Sequence, residues 1–132
     1  MKPLSVNQLN NHFKYVKDAD QYGHREAWFI MKKAPYTGDC EDYSLTLLYN
    51  LKQRSLYKML ISLLIRESKI CRCTMKGTGH AVLKYKGQYI DNICKKWVSK
   101  EYMEKRDYVF SSWLYIPYQV IVKVIIGFIK TR

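Results

Sequence analysis

The chain has 132 residues, 48% of them hydrophobic and 26% charged, which suits one globular domain over 1–132 and is too short for two independent cores. No Ser-, Gly- or Pro-rich tract of the kind that marks disorder interrupts it. Its 23 Lys and Arg against 11 Asp and Glu leave a formal +12, a field that attracts nucleic acid, anionic lipid or an acidic protein. The cations are spread along the chain in clusters as short as Lys32-Lys33 and Lys95-Lys96, so a dispersed basic surface and a nucleic-acid groove both stay open.

In chain order, the opening "MKPLSVNQLNNHFKYVKDAD" lacks an apolar core of signal-peptide length, which points to a reducing, cytoplasmic location. Cys40, Cys71, Cys73 and Cys94 are then expected as thiols, since their spacing gives no disulfide framework. Residues 5–31 mix polar and aromatic positions, and "REAWFIMKK" reads as helix. "APYTGD" supplies Pro35 and Gly38 as punctuation, with Asp39 as N-cap and Asp42 three positions on in the manner of a capping box. The spacing predicts a helix over 40–51 with an inward stripe of Cys40, Tyr43, Leu47 and Leu51.

Ser55 caps a second predicted helix, with Leu56, Leu60, Leu63 and Leu64 at helical spacing. "KICRCTM", "HAVLKY" and "QYIDNI" read as strands of an antiparallel meander, with turns at "KGTG" and Lys86-Gly87. Helices followed by strands predict an α+β fold. "SKEYMEKR" reads as a short helix capped by Ser99. In the tail "IPYQVIVKVIIGFIK", Gln119, Lys123, Gly127 and Lys130 share one face and Pro117 sits at the first turn, which predicts a C-terminal helix docked on the core. With Lys123 inside it, the tail falls short of the 18 uninterrupted apolar residues of a transmembrane span.

Thiol catalysis needs a thiolate, a base, a group that orients the base, and donors for the oxyanion. Cys40 lies at a predicted helix start, where free N–H groups and the macrodipole favour a thiolate. His80 opens one strand and Asp91 closes the next, and antiparallel neighbours can stand side by side. Asp91 is then placed to orient the imidazole, as in a triad. From spacing alone the bland alternatives stay open: Cys40 as a small core residue, His80 as a turn histidine, Asp91 as a strand-end acid.

The wording around these residues is more specific. "GDCEDYSL" followed by "GHAVLKYKGQYIDN" resembles the bacterial transglutaminase-like cysteine proteases of the papain-like superfamily, over residues 38 to about 92. The resemblance implies a papain-like, transglutaminase-type α+β core with N-terminal helices on a small antiparallel sheet. It implies Cys40 as nucleophile, His80 as general base and Asp91 as its orienter. A shorter and more basic chain than the secreted members fits a small intracellular or bacteriophage-encoded form.

Asp39, Glu41 and Asp42 should oppose a thiolate at Cys40 by like-charge repulsion, while the helix terminus and a protonated His80 favour it. Relief comes from capping, from pairing with Lys or Arg, or from calcium, which the resemblance implies at Asp39 and Glu41; calcium takes six to eight oxygens, so two carboxylates do not complete a site. Related folds take a second oxyanion donor from an upstream Gln or Trp, here Gln21 or Trp28. Cys71 and Cys73 lack the usual zinc-ligand spacing and are expected to pack on one face of a strand.

The expected function is therefore a cysteine hydrolase cutting a peptide or isopeptide bond through a thioester, with acyl transfer to an amine as the same chemistry on a different acceptor. The rival is a non-catalytic basic binding protein on the same fold, engaging nucleic acid or an acidic protein. Membrane-surface attachment through residues 116–130 is a third reading.

Overall fold

The computed structural model describes residues 3–15, 30–31, 36–38, 40–75, 77–110, 121–122, 124–126 and 128. In chain order the elements are α1 (Val6–His12), β1 (Phe13–Tyr15), β2 (Tyr36–Gly38), α2 (Cys40–Leu51), α3 (Leu56–Leu64), β3 (Ser68–Met75), β4 (Thr78–Tyr85), β5 (Gln88–Ile90), α4 (Lys100–Glu104) and β6 (Tyr108–Phe110). Residues 121–122, 124–126 and 128 are also helical. This is the predicted α+β class, with helices beside an antiparallel sheet.

The four-stranded sheet runs β5-β4-β3-β6, every pair antiparallel. Lys86 and Gly87 join β4 to β5 with positive φ at both positions, the conformation whose twist matches a two-residue hairpin. Alternation along the strands divides the side chains between two faces. Ile70, Ala81, Leu83 and Ile90 join the main core with Tyr43, Leu47 and Leu48 of α2. Cys71, Cys73, Val82, Tyr89 and Tyr108 face the other way, into a second cluster with Val98 and Met103. The two strand cysteines share a face and pack, as their i, i+2 spacing predicts.

Helix α2 keeps its predicted bounds but is more central than a one-sided stripe implies. Asp42 through Asn50 are all buried, whereas Leu51 is half-buried. Its polar residues have structural partners: Thr46 Oγ1 accepts from the Met31 N–H at 2.9 Å, and Asn50 Oδ1 accepts from the Leu4 N–H at 2.9 Å. A buried backbone donor needs an acceptor, so these residues tie the N-terminal segments to the central helix. Tyr43 completes the join, donating from its hydroxyl to Asn10 Oδ1 at 2.5 Å and meeting Phe13 edge-on at 5.0 Å.

Several expectations change in detail. Gly38 is the last residue of β2, which pairs in parallel with β1 through Tyr15. It is also tightly confined: a Cβ there would lie 2.6 Å from Asp42 Cβ. In α3, Ser55 caps as predicted by accepting from the Lys58 N–H at 3.3 Å, but the inward residues are Met59, Ser62 and Leu63 while Leu64 is exposed. Its first leucines are only half-buried. The strand carrying His80 begins at Thr78, inside the expected turn, and β5 ends at Ile90, one residue before Asp91.

Three features escaped the sequence reading. Helix α1 carries a complete Ser5–Gln8 capping box, the β1–β2 pair joins segments more than 20 residues apart, and β6 closes the sheet. Ser99 caps α4 as predicted. In the tail, Val124 is fully buried and the Phe128 ring meets Tyr49 at 6.0 Å, so those residues dock on the core. Among the described residues no helix is long and apolar enough to cross a membrane. Of the helix expected over "REAWFIMKK", all but Ile30 and Met31 lies outside the described residues, as do the tail positions Pro117, Gln119, Lys123, Gly127 and Lys130.

Candidate active site

The site forms where the sheet loses a strand. β5 pairs with β4 only at Leu83, Lys84 and Tyr85, so at Ala81 the outer edge of β4 is open. The first residue of α2 fills that gap: the Ala81 N–H donates to Cys40 Sγ at 3.3 Å. An N–H aimed at sulfur favours the thiolate, as does the positive end of a helix. Against this, the Cys40 thiol donates to Glu41 Oε2 at 3.2 Å, and a neighbouring carboxylate favours the protonated thiol. The question posed by an acid-flanked cysteine thus has a local answer: Glu41 contacts the sulfur, while Asp42 is fully buried beside Gly38.

His80 comes from the residue before Ala81. Its Nε2 lies 2.7 Å from Asp91 Oδ2, with the His80 side chain 8% exposed and that of Asp91 fully buried. The register does not place these residues opposite each other, because Leu83 pairs with Ile90 and the same alignment continued would set Val82 against Asp91. Asp91 reaches His80 by leaving the ladder. Its Oδ1 accepts from the Ile93 N–H at 3.2 Å and the Cys94 N–H at 2.6 Å, and its backbone oxygen accepts from the Lys95 N–H at 2.9 Å. This side-chain-capped turn ends β5 and aims the other carboxylate oxygen at the imidazole.

A fourth participant had no signal in the sequence. The Tyr108 hydroxyl donates to Asp91 Oδ2 at 2.5 Å, lies 3.6 Å from Cys94 Sγ, and its ring meets the His80 ring edge-on at 5.9 Å. It arrives on β6, paired through Met75 of β3. Burial raises the pKa of Asp91, but the bonds from His80, Tyr108 and the Cys94 N–H outweigh it, and the net direction is down. For Tyr108 burial and Asp91 act together, so its phenol is held protonated well above its ordinary range. Burial also pushes the Cys71 and Cys94 thiols up, and takes Cys73 up to about 12.

Cys40 and His80 open onto one cleft of about 360 Å³, lined further by Tyr15, Met75, Gly79, Asn92 and Ile93. Tyr15 and Ile93 are 52% and 55% exposed, so two apolar side chains rim a cleft whose described lining carries no Lys or Arg despite the +12 of the chain. The three sequence-predicted residues Cys40, His80 and Asp91 are thus brought together. Gln21, Trp28 and Asp39 lie outside the described residues. Of the two residues expected to hold calcium, Asp39 is outside the described part and Glu41 contacts the Cys40 sulfur; among the described residues there is no group of three or more His, Cys, Asp or Glu side chains that could hold a metal.

A helix-start thiol beside a sheet edge, with a strand histidine bonded to an aspartate in the following turn, sits here in an α+β domain consistent with a transglutaminase-like fold. In agreement, the sequence model of the bacterial transglutaminase-like cysteine proteinases matches residues 3–112, and the chain belongs to that family. No curated protein matches it.

Proposed function

We propose that the protein is a cysteine hydrolase that cleaves a peptide or isopeptide amide through a thioester on Cys40, the whole 1–132 chain acting as one catalytic domain. The observation that carries this reading is the convergence of Cys40 and His80 on one cleft with Asp91 bonded to His80 Nε2. Because Asp91 takes Nε2, Nδ1 is the ring nitrogen left to exchange protons with sulfur and substrate. In the first half-reaction the Cys40 thiolate attacks the amide carbonyl carbon. The oxyanion is stabilised by backbone amide N–H groups and the positive dipole at the start of α2, and imidazolium His80 gives its proton to the amine as the C–N bond breaks. In the second, His80 takes a proton from water as it attacks the thioester, and collapse of the tetrahedral adduct frees the acid and restores sulfur.

Asp91 orients the ring throughout and stabilises its cationic form without itself being protonated, consistent with its lowered pKa. The Ala81 N–H holds the sulfur in line and shares the charge of the thiolate. Gln21 or Trp28 would supply a second oxyanion donor. An amine replacing water in the second half-reaction gives acyl transfer by the same residues.

The reading is tested by incubating unfolded protein substrates with wild type and Cys40→Ser and identifying new N-termini by mass spectrometry. Cleavage by wild type alone, blocked by a thiol alkylator, is the expected result. Cleavage that survives in Cys40→Ser overturns it. So does an absence of both cleavage and amine incorporation alongside salt-sensitive polyanion binding that is indifferent to Cys40, the behaviour of a basic binding protein.

A further inference from the structure

We propose that Tyr108 is a positioning residue for the His80–Asp91 pair, its phenol sharing the carboxylate oxygen that holds the imidazole and so setting how strongly that oxygen grips the ring. The proposal rests on the hydrolase reading for its purpose but on geometry for its content. Asp91 is a fully buried carboxylate with four donors: the Ile93 and Cys94 N–H groups on Oδ1, and His80 Nε2 and the Tyr108 hydroxyl on Oδ2. Three of the four positions are fixed by local chain geometry, since a turn supplies two and the adjacent strand a third. Tyr108 alone comes from a distant strand, on the far side of β3 from β4, and at 2% exposure it is locked in the second core cluster.

Two effects follow. The ring stands edge-on to His80 and limits rotation of the imidazole. The hydroxyl draws negative charge from Oδ2, and a carboxylate oxygen that shares its charge with a second donor stabilises an imidazolium less than one that does not. Tyr108 therefore divides Oδ2 between two donors, so that His80 does not hold that oxygen alone. Among the described residues, the other titratable groups around this cluster are Cys40 and Glu41 at the start of α2, Tyr43 further along it, Cys73 on β3, and Cys94 in the turn with Arg106 beyond it. Among these, Tyr108 alone combines a bond to Oδ2 with a ring contact to His80.

The experiment is an NMR titration of the three histidines of the intact chain, with His80 assigned by its loss in His80→Gln. Tyr108→Phe keeps the ring and removes only the hydroxyl. The expected result is an upward shift of the His80 protonation midpoint by about half to one pH unit, with exposed His12 unmoved. A midpoint that stays within about 0.2 unit, or moves down, overturns the proposal. Should Tyr108→Phe fail to fold, tyrosine replaced throughout by 3-fluorotyrosine, a stronger donor, keeps the question open to test: the His80 midpoint must then fall, and a rise or no change overturns the proposal. The titration needs no substrate, so the two readings fail separately. A shifted midpoint in a protein that cleaves nothing supports the Tyr108 role and sinks the hydrolase. Cysteine-dependent cleavage with an unmoved midpoint does the reverse.

Discussion

The two faces of the four-stranded sheet are built by different physics. On the α2 side, Ile70, Ala81, Leu83 and Ile90 meet Tyr43, Leu47 and Leu48 in an apolar layer, where position is fixed by packing. On the other side, Cys73, Val82 and Tyr108 surround a buried carboxylate and an imidazole, where position is fixed by hydrogen bonds. Cys40, the proposed nucleophile, belongs to the first layer and His80, the proposed base, to the second, and both line the cleft beside the open edge of β4. The difference teaches that the site can be disabled in two separable ways: by moving the helix, which costs stability, or by unmaking bonds around Asp91, which costs chemistry.

The sharpest break comes from the two residues proposed to react. Cys40→Ser and His80→Ala are each expected to lower kcat/KM by at least about 10³-fold while leaving the thermal midpoint close to wild type, measured by peptide hydrolysis alongside calorimetry. Asp91→Asn keeps the shape and loses the charge, with an expected fall in kcat of about 10²- to 10⁴-fold. It should also flatten the dependence of stability on pH. Asp91 has a lowered pKa in the fold, so the folded state binds fewer protons at this site than the unfolded state. Its contribution is complete above the ordinary carboxylate range and is lost as pH falls through the lower folded value. Urea unfolding between pH 5 and 3 should show wild type losing stability that Asp91→Asn does not lose.

On the packed side, Leu83→Ala removes a fully buried side chain and should cost roughly 2–5 kcal/mol in urea unfolding, with kcat nearly intact in the fraction that remains folded. The smallest effect tests the acid beside the sulfur. Glu41→Gln removes the charge facing Cys40 Sγ and should speed alkylation of Cys40 by a few-fold, about 1 kcal/mol at a partly solvated pair, read from the rate of iodoacetamide labelling.

How far the sequence announced this arrangement depends on distance along the chain. α2 was legible to the residue because a Gly-Asp-Cys-Glu-Asp start and an apolar run are local signals. The serine caps of α3 and α4 and the three meander strands were legible for the same reason. Helix α1 had its capping box in plain view, but only Leu9 of its seven residues is buried, so no apolar period marked it. The three-residue strands β1, β2 and β6 are defined by their partners, and a Phe-Lys-Tyr or Tyr-Val-Phe triplet does not say what it pairs with.

At the candidate site, motif and order point to Cys40, His80 and Asp91. The His80–Asp91 bond could not be worked out from register, since Asp91 reaches His80 from a turn just past the ladder. Tyr108 was invisible because its role depends on β6 lying next to β3, more than 30 residues away in sequence.

The central claim, that His80 activates Cys40, is tested most directly by following iodoacetamide labelling of each cysteine against pH by mass spectrometry in wild type and His80→Ala. Cys71, Cys73 and Cys94 have thiols pushed up by burial, so Cys40 should label first at neutral pH, and that preference should collapse in His80→Ala. Equal labelling of all four cysteines in wild type, or a Cys40 rate that ignores the loss of His80, would contradict the account.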